Sequence, residues 1–163
     1  MSKHKEEKTN VMRTLEQKKI AYTPHSYPHE EGIAVDGVTV AKSMGFDPAI
    51  VFKTLVARGA SKQYYVFDVP VAENLDLKKA AKAVGEKSIE MIHQKELLPL
   101  TGYVHGGCSP VGMKKLFPTV FHETAENLET MIVSAGKIGY QVELAPHDLA
   151  ALVRAKFADI IVE

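Results

Sequence analysis

Cysteine is nearly absent from this sequence, which contains one thiol, Cys108, in 163 residues. One thiol cannot form an internal disulfide, and it cannot build a zinc site that needs several cysteines. The 7 histidines are scattered without the paired spacing that metal ligands show. The sequence therefore predicts a protein with neither a disulfide nor a metal ion.

Long apolar runs are also absent. No stretch approaches the ~18 consecutive apolar residues that indicate a membrane span. Residues 1–8 are polar and charged, unlike the apolar region of a secretion signal, and we interpret them as a flexible tail. We therefore expect a soluble, cytoplasmic protein that has no membrane partner.

The chain carries no excess of charge, because 20 basic residues balance 20 acidic ones. A nucleic-acid partner would have to be attracted by local patches and not by the field of the whole molecule. The sequence also lacks the Gly-x-x-x-x-Gly-Lys phosphate loop and the Gly-x-Gly-x-x-Gly dinucleotide fingerprint. No nucleotide or other cofactor is predicted.

The length and the hydrophobic content of 45% fit a single domain spanning residues 1–163. Caps and periodicity predict helices that begin near Thr9 or Asn10, at Val38, after Asp76 and at Pro146. Alternating and β-branched segments predict strands at 50–57, 63–69, 88–92, 119–122, 130–134, 140–144 and 157–162. Because helices and strands do not alternate regularly, we expect an α+β fold with one curved, barrel-like mixed sheet flanked by helices.

Lys53 stands in an otherwise apolar strand segment, Ile50 to Val56, and its side chain shares a face with Val51 and Leu55. Burying an unpaired ammonium is costly. The side chain must therefore reach solvent, pair with a carboxylate, or line a cleft and contact a ligand.

A glycine-rich loop covers residues 101–115 and brings Gly106 and Gly107 together. Two adjacent amides could hold a carbonyl oxygen or an oxyanion, although a Gly-Gly pair also suits a plain tight turn. Cys108 could act as a nucleophile with His105 as its base, but a single cysteine more often packs as a small apolar residue.

Three motifs occur in a defined order: Phe52-Lys53-Thr54-Leu55, the glycine loop, and Val133-Ser134-Ala135-Gly136-Lys137. Together they resemble the YbaK family of aminoacyl-tRNA deacylases, which are relatives of the editing domain inserted in bacterial prolyl-tRNA synthetases. The likeness runs from about Thr9 nearly to the C-terminus. It implies the YbaK-like fold.

The resemblance also assigns roles to residues. It implies that Lys53 and Thr54 lie in the substrate pocket, that Gly106 and Gly107 border it, and that Cys108 is not catalytic. It further implies that Tyr27 lines the pocket. In addition, Ser134 could donate a hydrogen bond to the substrate, and Lys137 could contact a phosphate at the acceptor end of the tRNA. The simpler alternatives are a half-buried strand tyrosine, a turn-forming serine and a solvated lysine.

This chain departs from the family pattern at two positions. Several relatives have an aromatic residue near the position of Asp36 and a basic residue at that of Ile138. These positions bear on the shape of the pocket and on contact with tRNA.

The resemblance implies hydrolysis of a mischarged proline tRNA, with cysteine as the amino acid and the substrate's own thiol as the nucleophile. The alternatives are water attack on alanyl or seryl esters, and a non-catalytic module that binds an aminoacyl-tRNA or a synthetase. The expected partners are the acceptor end of the tRNA and, as a further candidate, prolyl-tRNA synthetase. The chain is expected to be a monomer or a weak homo-oligomer.

Overall fold

The computed structural model describes residues 8–163. The helices are α1 (Asn10–Gln17), α2 (Gly37–Ser43), α3 (Leu77–Val84), α4 (Gln94–Thr101) and α5 (Pro146–Val153). The strands are β1 (Thr23–Ser26), β2 (Phe52–Gly59), β3 (Tyr64–Pro70), β4 (Ile89–Met91), β5 (Thr119–His122), β6 (Met131–Ser134), β7 (Tyr140–Leu144) and β8 (Lys156–Ala158). The predicted tail, residues 1–8, lies outside this range except for Lys8, whose ammonium pairs with Glu16 at 2.9 Å.

The α+β class is confirmed, but the strands form two sheets instead of the single curved sheet that we expected. One sheet is antiparallel, with the order β1-β7-β6, and the other has the order β4-β2-β3-β5-β8. In the larger sheet β5 runs parallel to both of its neighbours, while β2 pairs with β3 and β4 antiparallel. A single bridge between Val51 and Ile132 links the sheets, and no barrel-like closure is seen in residues 8–163.

Helix boundaries follow the capping residues closely. The hydroxyl of Thr9 accepts a hydrogen bond from the Met12 amide and begins α1. The carboxylate of Asp76 accepts from two amides at the start of α3, and Gly85 ends that helix with φ +75°. Local side-chain chemistry is therefore sufficient to place these helix ends.

The observed elements differ from the predicted ones at one helix and at the last strand. Helix α4 was not predicted, because Pro99 lies inside it and proline normally breaks a helix. The last strand was predicted at 157–162, but it ends at Ala158, and Ile161 forms only an isolated bridge with Leu75.

Helices pack on both sheets, and the larger sheet is covered on both of its faces. Residues of α1 and α5 pack on the three-stranded sheet around Leu15, Met131 and Leu149, which are fully buried. Helix α3 packs Ala80 and Ala81 on the larger sheet. No helix within residues 8–163 is long and apolar enough to cross a membrane.

Candidate active site

A cleft of about 550 Å³ opens beside an unpaired stretch of β2. On one edge β2 pairs with β3 from Phe52 to Arg58. On the other edge β4 pairs only with the residues from Ala57 to Gly59, and β6 contributes the single bridge at Val51. Among the described residues, no strand covers this edge from Lys53 to Leu55.

Lys53 and Thr54 both line this cleft, and they reach it from opposite faces of β2, because successive strand residues alternate. The Val56 carbonyl accepts a hydrogen bond from the Ile92 amide at 3.4 Å and therefore points away from β3. Residues two apart in a strand point their backbone groups to the same edge, and Thr54 is two residues before Val56. The amide and carbonyl of Thr54 therefore point to the open edge. A ligand in the cleft would thus meet a cationic side chain, a hydroxyl and backbone polar groups together.

The ammonium of Lys53 is half-buried and forms no hydrogen bond or ion pair with any residue in the range 8–163. Burial lowers the pKa of this ammonium, and the carboxylates of Asp36 and Glu73 partly offset that effect. The structural ion pair that we considered is therefore not formed among these residues. A desolvated cation at the wall of a cleft is suited to contact an anionic group of a ligand.

Tyr27 lines the same cleft and is 8% exposed, so it is more buried than a half-exposed strand tyrosine. Its amide donates to the Gly139 carbonyl at 2.9 Å, and its own carbonyl is 2.8 Å from Nδ1 of His29. The His29 ring lies so close to Gly139 that a Cβ there would come within 2.2 Å of it. Close packing around Gly139 thus holds the backbone of Tyr27 at the cleft.

The two adjacent glycines have different structural roles. Gly106 lines the cleft with φ +89°, and within residues 8–163 its amide donates to no other group. The amide of Gly107 instead donates to the Val104 carbonyl at 2.9 Å, and a Cβ on Gly107 would lie 3.0 Å from the Ile138 amide nitrogen. The expectation of two oxyanion-binding amides is therefore corrected for Gly107, whose amide is already engaged in the turn, while the oxyanion role of the Gly106 amide stays a prediction.

Ser134 lines the cleft, and its Oγ accepts a hydrogen bond from the Gly136 amide at 3.1 Å. Ser134 therefore does form the turn, as the simpler alternative predicted. Its hydroxyl proton can still be donated to a ligand. Lys137 is exposed and is not among the residues that line the cleft; its ammonium lies 5.8 Å from the centre of the Tyr140 ring. Its contact with a phosphate stays a prediction.

Cys108 is 8% exposed and lies at the cleft. Burial, with a smaller contribution from the Asp68 carboxylate, raises the pKa of its thiol to about 12. A thiol that stays protonated at neutral pH is a poor nucleophile. These properties favour Cys108 as a packed residue, while His105 lies exposed at the cleft.

The two departures from the family pattern have structural explanations. The Asp36 carboxylate accepts hydrogen bonds from the amide and the hydroxyl of Thr39, at 3.1 and 3.2 Å, and so begins α2 at the wall of the cleft. Ile138 is 7% exposed and packs beneath the glycine loop. Asp36 therefore contributes to the pocket, while Ile138 supports the loop that borders it.

Asp68, which the sequence analysis did not single out, lies behind the cleft residue Thr54 and is not itself among the residues that line the cleft. It is fully buried on β3, and its Oδ1 accepts a hydrogen bond from Oγ1 of Thr54 at 2.5 Å. Its other oxygen, Oδ2, has no partner, and burial raises the pKa of the carboxyl to about 7. A charged residue between apolar strand residues, the signal that marks Lys53, also occurs in Phe67-Asp68-Val69 and could have identified Asp68.

The raised pKa of Asp68 predicts an unusual pH dependence of stability. The folded protein binds a proton between about pH 4 and pH 7 that the unfolded chain does not, so the free energy of unfolding falls as pH rises through this range. Asp68→Asn removes this effect. We expect its stability relative to the wild type to increase from pH 5 to pH 8 by an amount on the order of 1–3 kcal/mol. Urea unfolding at both pH values measures this change, and a constant difference between the two proteins would contradict it.

The described residues contain no group of three or more His, Cys, Asp or Glu side chains arranged to hold a metal ion. What the cleft does combine is a desolvated ammonium, an unengaged glycine amide and several hydroxyl groups. Such a set can bind a polar ester and stabilise negative charge on its carbonyl oxygen.

Comparisons with known proteins agree with this chemistry. Residues 34–152 match the family described as "Aminoacyl-tRNA editing domain". The chain is 45% identical over 161 residues to a protein of Enterococcus faecalis named "Putative Cys-tRNA(Pro)/Cys-tRNA(Cys) deacylase EbsC", and the match covers 98% of each chain.

Solved structures show the same fold. One, described as "a putative trans-editing enzyme for prolyl tRNA synthetase", has a TM-score of 0.79 and 25% identity, and the match covers 94% of this chain and 95% of that one. A hypothetical protein superposes with a TM-score of 0.82 at 18% identity, over 93% of this chain and 99% of the other. From the family match and the identity to the E. faecalis protein, the chain belongs to the aminoacyl-tRNA editing domain family.

Proposed function

We propose that this protein hydrolyses the ester between a mischarged amino acid, first of all cysteine, and the terminal ribose of proline tRNA. The observation that carries this proposal is the 45% identity, over nearly the whole of both chains, to a relative named as a deacylase of cysteinyl-tRNA. The similar structure described as a trans-editing enzyme for prolyl-tRNA synthetase supports it. The partners are then the acceptor end of the tRNA and, in the cytoplasm, the synthetase that makes the error.

The need for such an activity is physical. A synthetase pocket shaped for proline cannot reject a residue of similar size by binding alone, because small apolar differences are worth only about 1–3 kcal/mol. A second site that hydrolyses the wrong product removes the error.

In the proposed reaction the cleft positions the ester and the substrate supplies the nucleophile. The cysteine sulfur attacks its own ester carbonyl, an S–C bond forms, and the C–O bond to the ribose breaks as the thiol proton passes to the ribose oxygen. Water then hydrolyses the thiolactone. The Gly106 amide stabilises the oxyanion, and Lys53 contacts phosphate at the tRNA end. Holding the thiol near the carbonyl can give an effective molarity of ~10⁵ M or more.

The chemistry of the cleft supports this route over an enzyme nucleophile or base. The Cys108 thiol has a pKa of about 12, and Asp68 is fully buried and cannot contact a water molecule in the cleft. Among the cleft residues that the structure describes, the exposed groups able to act as a base are the His105 imidazole and the Asp36 carboxylate, which already accepts two hydrogen bonds from Thr39.

The proposal is tested by comparing tRNA substrates whose amino acids differ in having or lacking a thiol. Proline tRNA carrying cysteine is expected to be deacylated at least about tenfold faster than the same tRNA carrying serine or 2-aminobutyrate, which lack the thiol. Rates are measured with excess tRNA, so that several turnovers per protein distinguish an enzyme from a binding module. Equal rates for all three esters would contradict thiol attack and favour water attack, for which His105→Ala is the next variant to measure.

A further inference from the structure

The Asp68 carboxylate fixes the direction of the Thr54 hydroxyl. The two residues are directly opposite each other in the pairing of β2 with β3, and Thr54 donates its only hydroxyl proton to Oδ1 of Asp68 at 2.5 Å. A hydroxyl oxygen has two further lone pairs. Since Thr54 lines the cleft and its proton points towards β3, its oxygen presents an acceptor to a ligand there.

The unpartnered oxygen of Asp68 is hard to explain by structure alone. A fully buried carboxyl in a core strand costs free energy that an apolar residue would avoid, and Oδ2 recovers none of it through a hydrogen bond within residues 8–163. The neighbours known to interact with this carboxyl are Thr54 on β2 and Cys108 on the glycine loop. Neither is a cation, so the negative charge has no partner in the described protein.

The end of an aminoacyl-tRNA carries the complementary charges. Its amino acid has an α-ammonium, and its terminal nucleotide has a phosphate. In the cleft, the cation Lys53 and the pair Thr54–Asp68 lie on opposite faces of β2. This separation gives a ligand that carries an ammonium at one end and a phosphate at the other one preferred orientation.

We propose that Asp68 is a positioning residue which, through Thr54, makes an acceptor for the α-ammonium of the substrate's amino acid. This inference rests on the proposed deacylase function and adds the recognition of a free amino group to it. A deacylase that requires a free α-ammonium rejects esters whose amine is acylated, such as peptidyl-tRNA and formylaminoacyl-tRNA. The amino acid then lies towards Cys108, and the phosphate towards Lys53.

The experiment measures binding, so that it does not depend on turnover. The probe is a proline tRNA acceptor minihelix that ends in a non-hydrolysable 3′-amide of 2-aminobutyrate, prepared with a free and with an N-acetylated amine. We expect the free amine to bind the wild type about tenfold or more tightly than the acetylated form, because a hydrogen bond to a charged group is being removed.

Variants then locate the source of this preference. Thr54→Val and Asp68→Asn should each reduce it towards unity, and the double variant should be no worse than either single one, since both act on one contact. Thr54→Ser should retain it. Thr119→Val is the matched control. Thr119 is also a strand threonine with an engaged hydroxyl, which donates to the Phe117 carbonyl at 2.9 Å, but it is buried and lies outside the cleft.

Each outcome separates the two proposals. A preference for the free amine that is lost in Thr54→Val and Asp68→Asn supports the inference even if cysteinyl-tRNA is not turned over, in which case only the deacylase function fails. Equal binding of the two probes, or a preference that survives both substitutions, overturns the inference while deacylation stands. Failure of the wild type to bind either probe, together with no turnover, overturns both.

Discussion

Lys53→Ala is expected to lower the rate of cysteinyl-tRNA deacylation by about a hundredfold, which is the usual cost of removing one group that holds developing or bound charge in a closed site. The side chain lines the cleft and has no ion pair among the described residues, so its removal breaks no structural contact of that kind. Burial already disfavours the charged form of Lys53. The melting temperature should therefore stay close to that of the wild type, or rise slightly.

Two further variants make this prediction specific. Lys53→Met keeps the aliphatic stem and removes only the charge, so it should be nearly as inactive as Lys53→Ala. Lys78→Ala removes an exposed lysine at the start of α3 and should leave the rate unchanged. Rates measured at protein concentrations below and above saturation, beside thermal unfolding, distinguish a lost substrate contact and lost chemistry from a lost fold. A Lys53→Met enzyme with the wild-type rate would show that the ammonium has no role in the reaction.

The sequence predicted those parts of the fold that depend on local chemistry. The cap at Asp76, the terminating Gly85 and the proline at the start of α5 act within a few residues of themselves, and the helices begin or end where these residues stand. Helix α4 could not be predicted in the same way. Its proline argues against a helix, whereas the hydrogen bond from the His93 amide to the Glu96 carboxylate, which caps its start, is seen in the structure.

The division of the strands into two sheets depends on distant pairing. Within residues 8–163 the backbone link between the sheets is the bridge between Val51 and Ile132, and no local pattern encodes that bridge. The same limit applies to the site. Lys53 and Thr54 stand in a recognisable motif, and Asp68 could have been singled out as a charged residue in an apolar strand. The hydrogen bond between Asp68 and Thr54, however, joins two strands and has no local sequence signal. The hydrogen bond that engages the Gly107 amide is a local turn to Val104, whereas the closeness of Gly106 to Ala34 depends on the fold.

Gly106→Ala is expected to lower the deacylation rate by about a hundredfold, a loss much larger than its effect on stability would explain. Gly106 has φ +89°, a conformation that a side chain disfavours by about 1–2 kcal/mol. In addition, the new Cβ would lie 2.7 Å from the Cβ of Ala34, so the loop before α2 or the glycine loop must move. Either movement displaces the amide that we assign to the oxyanion.

Gly85→Ala provides the control for backbone strain. Gly85 has a similar φ, +75°, but a Cβ there would have no atom within 4 Å, and the residue is not part of the cleft. Both variants should lose about 1 kcal/mol or somewhat more of unfolding free energy, because both force alanine into a left-handed conformation. Only Gly106→Ala should also lose activity. Similar rates for the two variants at a temperature where both are folded would remove Gly106 from the proposed mechanism, and the Thr54 amide at the open edge of β2 would become the next donor to test.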